Sequence, residues 1–183
     1  MVRIISGKAK GRRLAAPDTR GTRPVTDRVR EAVFSTIGGW VENADVADLY
    51  AGSGSFGLEA LSRGASSAVF VENAAKAVAA LKENVEALGL GGEVVRAEVR
   101  KYLESADREF HLVFIDPPWP MPTEDLEADF VALDRLLVDR AEVIASRRHS
   151  DRRPVPPENW RVATEKRYGD TRILRYEKEV AET

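Results

Sequence analysis

Asp116, Pro117, Pro118 and Trp119 stand in a row directly after the apolar run at residues 112–115. That run is short, apolar and rich in β-branched and aromatic side chains, the composition of a buried strand. Proline has no N–H to give a ladder, so Pro117 and Pro118 mark where the strand leaves its sheet. A carboxylate, a rigidly aimed carbonyl and a large aromatic ring thus meet at one fixed exit. Methyl transfer to an exocyclic base amine needs such a set, because that nitrogen's lone pair is delocalised into the ring. Acceptors that hold the amine's protons draw the nitrogen toward tetrahedral geometry. Asp116 offers a carboxylate for this, and Pro117 a carbonyl whose direction its own ring fixes. Trp119 offers a π-face for an extruded base, a contact worth roughly 1–3 kcal/mol. Such a transfer needs no covalent intermediate, and the chain has no cysteine. A strand stopped by prolines beside a core tryptophan would explain the prolines but not the acid.

A second set of residues surrounds Gly52, Gly54 and Gly57, a G-x-G-x-x-G turn between a strand (DVADLY) and a helix. Glycines let a ligand approach the backbone closely, and helix N-terminal N–H groups stabilise an anion. A tight strand-to-helix turn needs glycine in any case, so the turn alone decides little. Asp48 lies four residues before the first glycine, and the next strand ends in Glu72. An acid at that second strand end suits ribose hydroxyls, which NAD and S-adenosylmethionine share. Asp48 would repel a pyrophosphate and suits a cofactor with an amino group and a sulfonium. The structural alternatives are that Asp48 caps the turn and that Glu72 is a solvated strand end. After the third strand, Glu98 and Val99 stand where they could frame an adenine ring, or simply begin a helix. Tyr50, Ser53 and Asn73, at the same exits, and Arg28 upstream complete the expected cofactor set.

The elements that must position these groups follow from periodicity. Residues 2–17 read as two short strands joined by a Gly-Lys-rich turn. A helix follows with Thr26 as N-cap, Val29, Val33 and Ile37 on one face, and Gly38-Gly39 at its end. Strands are expected at 45–50, 67–72, 93–97, 111–116 and 141–146, with helices at 56–63, 74–88, 101–105 and 125–137 between them. Two last runs, 159–168 and 171–178, form an antiparallel pair around Gly169-Asp170. Strand–helix alternation implies an α/β fold with a doubly wound, mostly parallel, seven-stranded sheet, whose ligands bind at the strands' carboxyl ends.

The 183 residues suffice for one domain with a small appendage: a basic arm at 1–25 and a main domain at 26–183. Nine Lys/Arg face Asp18 and Asp27 in residues 1–30, a net +7, and the total of −2 leaves −9 for the remainder. A basic arm on an acidic body suggests a polyanionic partner met by one region, or else a solvated tail. Arg3, Lys8, Lys10, Arg12, Arg13, Arg20 and Arg23 are the expected phosphate contacts. No apolar run reaches membrane-spanning length, and the N-terminal apolar stretch is too short for a signal peptide, so a cytoplasmic protein without a membrane partner is expected. With two histidines and no cysteine, no metal centre is expected.

"DLYAGSGSFG", "VFVE" and "FIDPPW" resemble the motifs of class I S-adenosylmethionine-dependent amino-methyltransferases. "RIISGKAKGRRLAAP" and "RPVTDRVREAVFSTI" resemble the N-terminal signature of the bacterial RsmD family. The resemblance implies a Rossmann-like methyltransferase sheet with a small N-terminal hairpin and helix extension. It implies methylation of guanine N2 in small-subunit (16S) ribosomal RNA, within a partly assembled 30S particle, by a monomer that releases S-adenosylhomocysteine. It assigns Asp48, Gly52, Gly54 and Glu72 to the cofactor, Asp116, Pro117, Pro118 and Trp119 to catalysis, and Arg23, Thr26, Asp27, Arg28 and Glu31 to a block beside both. Trp119 replaces the more usual Tyr or Phe, and Glu98 a more usual Asp. Rival readings are an amino-methyltransferase of adenine N6 or a protein amide, a nicotinamide-dependent oxidoreductase, and a non-catalytic RNA-binding assembly module.

Overall fold

The computed structural model describes residues 1–17 and 25–182; Arg20 and Arg23 lie outside them. Strands β1 (Val2–Arg3) and β2 (Arg13–Leu14) pair antiparallel as the expected hairpin. Helix α1 (Asp27–Ile37) begins where Thr26 Oγ1 accepts the Val29 N–H at 3.3 Å, and Gly38 ends it at φ 58°. Strands β3 (Asp45–Leu49), β4 (Ser67–Glu72), β5 (Glu93–Arg96), β6 (Phe110–Ile115), β7 (Leu137–Arg148), β8 (Trp160–Tyr168) and β9 (Thr171–Lys178) form one sheet. Its order is β5-β4-β3-β6-β7-β9-β8. All pairings from β5 to β7 are parallel, while β9 runs antiparallel to both β7 and β8. Helices α2 (Ser55–Ser62), α3 (Ala75–Leu88), α4 (Val99–Ser105) and α5 (Thr123–Asp134) connect the parallel strands.

Alternation along β6 builds both layers of the core. Leu112 and Phe114 face the cluster with α1, α2 and the hairpin, whereas Val113 and Ile115 face the cluster with α4 and α5. Phe34, Phe56 and Phe114 stack in the first layer, and Phe130, Trp160 and Tyr176 meet in the second. From β3 the chain winds outward to β4 and β5, then returns to β6 on β3's other side. That reversal opens a crevice at the carboxyl ends of β3 and β6. The pairing of Leu49 with Ile115 sets the Asp48 and Asp116 exits side by side there.

β7 is longer than its expected six residues. Leu137 already pairs with Phe110, and a register shift between Phe110 and Leu112, with Arg140 at φ 63°, lets the strand resume against Leu112. At its other end it continues through Arg147 and Arg148, paired with Arg172 and Thr171 of β9.

The described part of the arm is docked on the body. Val2, Ile4, Ala9 and Leu14 belong to the same core cluster as α1 and α2. Glu59 of α2, fully buried, accepts the N–H groups of Ile5 at 2.8 Å and Ser6 at 3.0 Å. The same carboxylate receives Arg63 at 2.8 Å and the fully buried Arg30 at 3.4 Å. Arg30 in turn donates to the Arg3 carbonyl at 2.7 Å and to Asp27 at 2.6 Å. Gly7 lies so close to α2 that a Cβ there would collide with the Ser62 carbonyl oxygen, which explains a glycine in this turn. Glu59→Ala should therefore cost about 3–5 kcal/mol of stability, because it takes one of two carboxylates from a buried guanidinium and leaves the Ile5 and Ser6 N–H groups without their acceptor. Urea denaturation measures this, and the Ile5 and Ser6 amides should exchange with solvent much faster in the variant. A loss below about 1 kcal/mol would mean that Glu59 does not hold the arm.

Candidate active site

Tyr50 leaves β3 in the left-handed region at φ 58°. Its hydroxyl donates to Asp129 Oδ2 at 2.5 Å, while Arg100 Nε donates to Asp129 Oδ1 at 2.7 Å. Burial pushes the Asp129 carboxyl up, opposed by these two donors, and burial with the Asp129 contact pushes the Tyr50 phenol up. The β3 exit is thereby fastened to α4 and α5. Glu72 fastens it to β4: Oε2 accepts the Gly52 N–H at 2.9 Å, and Oε1 accepts those of Asn73 and Ala74, each at 3.0 Å.

An open cavity of about 370 Å³ lies between these exits, within the roughly 300–1,000 Å³ typical of small-molecule sites. Its lining includes Tyr50, Glu72, Asn73, Glu98 and Val99, all expected cofactor residues, together with Ala97, Arg100, Met121, Asp125 and Asp129. Glu98 is exposed just before α4 and pairs with Lys101 at 3.4 Å.

Other expected cofactor residues do not line this cavity. Asp48 is 1% exposed, and its Oδ2 accepts the Gly57 N–H at 2.9 Å, so it caps the first turn of α2. Burial raises its carboxyl well above the ordinary range, and the nearby Asp116 and Glu72 charges add to this against the Gly57 hydrogen bond. Gly57 admits the Phe70 ring, whose Cε1 a Cβ at this position would strike. Gly54 does the same for Leu81, and the Ser53 carbonyl is held by Asn84 at 2.9 Å. Arg28 is exposed on the first turn of α1. Its neighbour Arg30 is the arginine of that helix that turns inward.

Asp116 follows β6 directly, its N–H donating to the Leu49 carbonyl at 3.3 Å. Its Oδ1 accepts from Ser146 Oγ, the residue after β6's paired partner Ala145. Burial pushes the Asp116 carboxyl up to about 6, against the opposing Ser146 hydrogen bond. Pro117 is buried and Pro118 exposed, and the Pro118 carbonyl closes a tight turn by accepting the Met121 N–H at 3.0 Å. Trp119 is half-buried, with the Arg148 guanidinium 5.8 Å from its ring centroid. Arg147, almost fully buried, donates to the Met121 carbonyl at 2.8 Å. A carboxylate, a rigidly aimed carbonyl and an aromatic face thus stand together at the β6 exit, and the turn that follows them delivers Met121 to the lining of the cavity.

Residues 2–177 match the family described as Conserved hypothetical protein 95. The chain belongs to that family. It is 33% identical over 179 residues to Ribosomal RNA small subunit methyltransferase D of Escherichia coli K12, covering 97% of this chain and 90% of that protein. The protein of the same name from Haemophilus influenzae is 32% identical over 173 residues, 92% of this chain and 89% of its own. Among solved structures, a candidate methyltransferase of Escherichia coli, YhhF, superposes with a TM-score of 0.88 at 33% identity, covering 97% of this chain and 98% of that one. A hypothetical protein of Thermus thermophilus gives 0.83 at 31% identity, covering 98% and 100%.

Sequence reading missed Ser146, Arg147, Arg148, Asp129 and Arg100. The first three lie at the carboxyl end of β7, the parallel strand next to β6, so a strand-end position beside β6 was the available signal. Asp129 and Arg100 lie inside helical patterns that also fit ordinary solvated faces.

Asp116 should cost the fold stability near neutral pH. An aspartate ionises near 3.9 in the unfolded chain and at about 6 here. Between those values the folded state holds a proton that the unfolded state has released, so stability falls as pH rises through the window. Asp116→Asn should therefore be about 1–3 kcal/mol more stable than the parent at pH 7.5, with the difference vanishing near pH 4. Urea melts at both pH values test this, and a pH-independent difference would refute the raised carboxyl.

Proposed function

We propose that the chain transfers a methyl group from S-adenosylmethionine to the exocyclic N2 amine of a guanine in small-subunit ribosomal RNA. One observation carries this reading: Asp116 and Trp119 stand on a proline-stopped strand exit whose closing turn, from Pro118 to Met121, brings Met121 into the lining of the cavity with Tyr50, Glu72, Glu98 and Val99. The cavity's donor and acceptor set fits the cofactor. Glu72 already accepts three N–H groups, and a carboxylate with about four lone-pair sites can still take a ribose hydroxyl. Glu98 and Val99 present an acceptor and an apolar surface to an adenine. When bound, S-adenosylmethionine supplies an electrophilic methyl on a sulfonium and departs as the neutral thioether S-adenosylhomocysteine.

The chain's own residues then act on the acceptor. Trp119 stacks the guanine, while Asp116 and the Pro117 carbonyl take hydrogen bonds from the two amine protons. The nitrogen's lone pair turns out of the ring plane, toward where the bound cofactor would supply its methyl. The extra proton leaves through Asp116. This requires an ionised Asp116, so the rate should rise with pH through the carboxyl's titration.

The exposed Lys8, Lys10 and Arg13, which have no acidic partner among the described residues, supply phosphate contacts that give affinity without reading sequence. The family resemblance favours a partly assembled 30S particle as substrate, methylated in the cytoplasm by a monomer.

The test is transfer of radiolabelled methyl to undermethylated small subunits, followed by mapping of the modified base. Label on a guanine N2 supports the reading; label on adenine or protein, or none, overturns it. Asp116→Ala should lower the single-turnover rate at saturating reactants by roughly 10²–10³, the loss typical for one preorganised polar group. Glu72→Ala should weaken S-adenosylmethionine binding by roughly tenfold or more in calorimetry. Deleting the arm would confound any RNA test, since it strips the buried Glu59 of its two hairpin N–H partners and uncovers the core that the hairpin packs on. Replacing Lys8, Lys10 and Arg13 by Gln avoids this and should reduce the salt slope of RNA binding by roughly two to three. An unchanged slope would make these residues an ordinary solvated face.

A further inference from the structure

The structure assigns Ser146 a positioning role in the reaction proposed above: it holds Oδ1 of Asp116, so that Oδ2 is the oxygen offered to the acceptor amine. The inference rests on that functional reading but concerns a residue that neither motif nor resemblance singles out.

The geometry follows from strand pairing. β7 runs parallel to β6 with Ala145 beside Ile115, so the next residues, Ser146 and Asp116, emerge together at the crevice. Ser146 is almost fully buried and its hydroxyl donates to Asp116 Oδ1. A carboxylate's terminal torsion is broad and two-fold, so either oxygen could otherwise face the substrate. One buried donor breaks that equivalence. It also favours the charged form, and only the charged form is purely an acceptor. A protonated Asp116 would offer an O–H to the amine nitrogen and compete for the lone pair that must attack the methyl.

The same strand supports the remainder of the tetrapeptide. Arg147 holds the Met121 carbonyl at the end of the turn, and Arg148 lies against Trp119. These two cations are themselves engaged by Asp151, at 3.2 Å and 3.0 Å. From β3, the buried Asp48 faces Asp116 as a second carboxyl, itself influenced by Glu72 of β4. The Asp116 charge pushes the Asp48 carboxyl further up. Among the described residues Ser146 is the side chain that hydrogen-bonds the Asp116 carboxylate, so it is the group that offsets burial there.

The experiment compares Ser146→Ala, Ser146→Thr and Ser146→Val in the full chain. Single-turnover methyl transfer is followed across pH 5–9, and the Asp116 carboxyl is titrated by NMR with ¹³C-labelled aspartate. Loss of one hydrogen bond to a charged acceptor, at the low end of its usual strength, corresponds to roughly one pH unit. Ser146→Ala should therefore move the acidic limb of the rate profile and the Asp116 titration upward together by about one unit, lowering the rate near pH 6 by up to about tenfold. S-adenosylmethionine affinity should stay within about twofold. Ser146→Thr, which keeps the hydroxyl, should restore the parent profile, while Ser146→Val, nearly isosteric with threonine, should behave like Ser146→Ala. The Thr/Val pair separates loss of the hydroxyl from a packing defect, since both add the same bulk. A parent-like profile in both Ala and Val variants would overturn the proposal, as would a uniform rate loss with no displacement of the limb. If the parent chain methylates no small-subunit RNA, the functional reading fails. The Asp116 titration distinguishes that outcome, because it reports the Ser146 hydrogen bond without any turnover.

Discussion

A carboxylate removed from water must be given hydrogen-bond donors or a cation, or else it neutralises. Five acids at or near the crevice answer that constraint in different ways, and much of the architecture follows from their answers. Glu59 takes two hairpin N–H groups and two arginines, which joins the arm, α1 and α2. Glu72 takes three backbone N–H groups and joins the ends of β3 and β4. Asp129 takes a phenol and a guanidinium and joins β3 to α4 and α5. Asp48 takes the Gly57 N–H at the start of α2. Asp116 takes one side-chain hydroxyl. Like Asp48 it has a single donor among the described residues, and it stands where a substrate amine could supply further ones.

The arm and the site are mechanically connected through the same kind of bond. Asn84 of α3 accepts the Ala15 N–H at 2.7 Å and returns a hydrogen bond to the Ala15 carbonyl at 2.9 Å. Its amide also holds the Ser53 carbonyl within the glycine turn at 2.9 Å. Basic groups on a hairpin so fixed stand at set distances from the crevice. A polyanion bound through them would be oriented as well as attracted, a role that a loose tail with the same charge would not fill.

Local periodicity exposed most of the sheet and the strand exits in the sequence, because alternating strands and helices leave a strong apolar signature. The Asp116–Trp119 exit was legible for the same reason: prolines after an apolar run have few other meanings. Tyr50, Glu72, Asn73, Glu98 and Val99 were readable as cavity residues because ligands in such sheets collect at strand ends. The docking of the arm was not readable, since Ile5 and Glu59 are separated by 54 residues and nothing in either segment announces the other. Arg28 and Arg30 look alike in sequence, yet only the helix's rotation decides which one is buried. The glycines were read for ligand approach, whereas Gly54 and Gly57 make room for Leu81 and Phe70. Sequence shows that a glycine is required; only packing shows which neighbour requires it.

The division of labour at the crevice explains why its carboxylates differ in state. Asp48 and Asp116 lie on adjacent strands, and each charge raises the cost of the other. Asp48 is deeper, and burial pushes its carboxyl strongly toward the neutral form. The Asp116 charge adds to that push, so of the two neighbours Asp116, pushed up only to about 6, ionises the more readily. Two strands flank β6 in this sheet order and set that difference: β3 contributes the deeper acid, and β7 contributes the Ser146 hydroxyl, which opposes the effect of burial at Asp116.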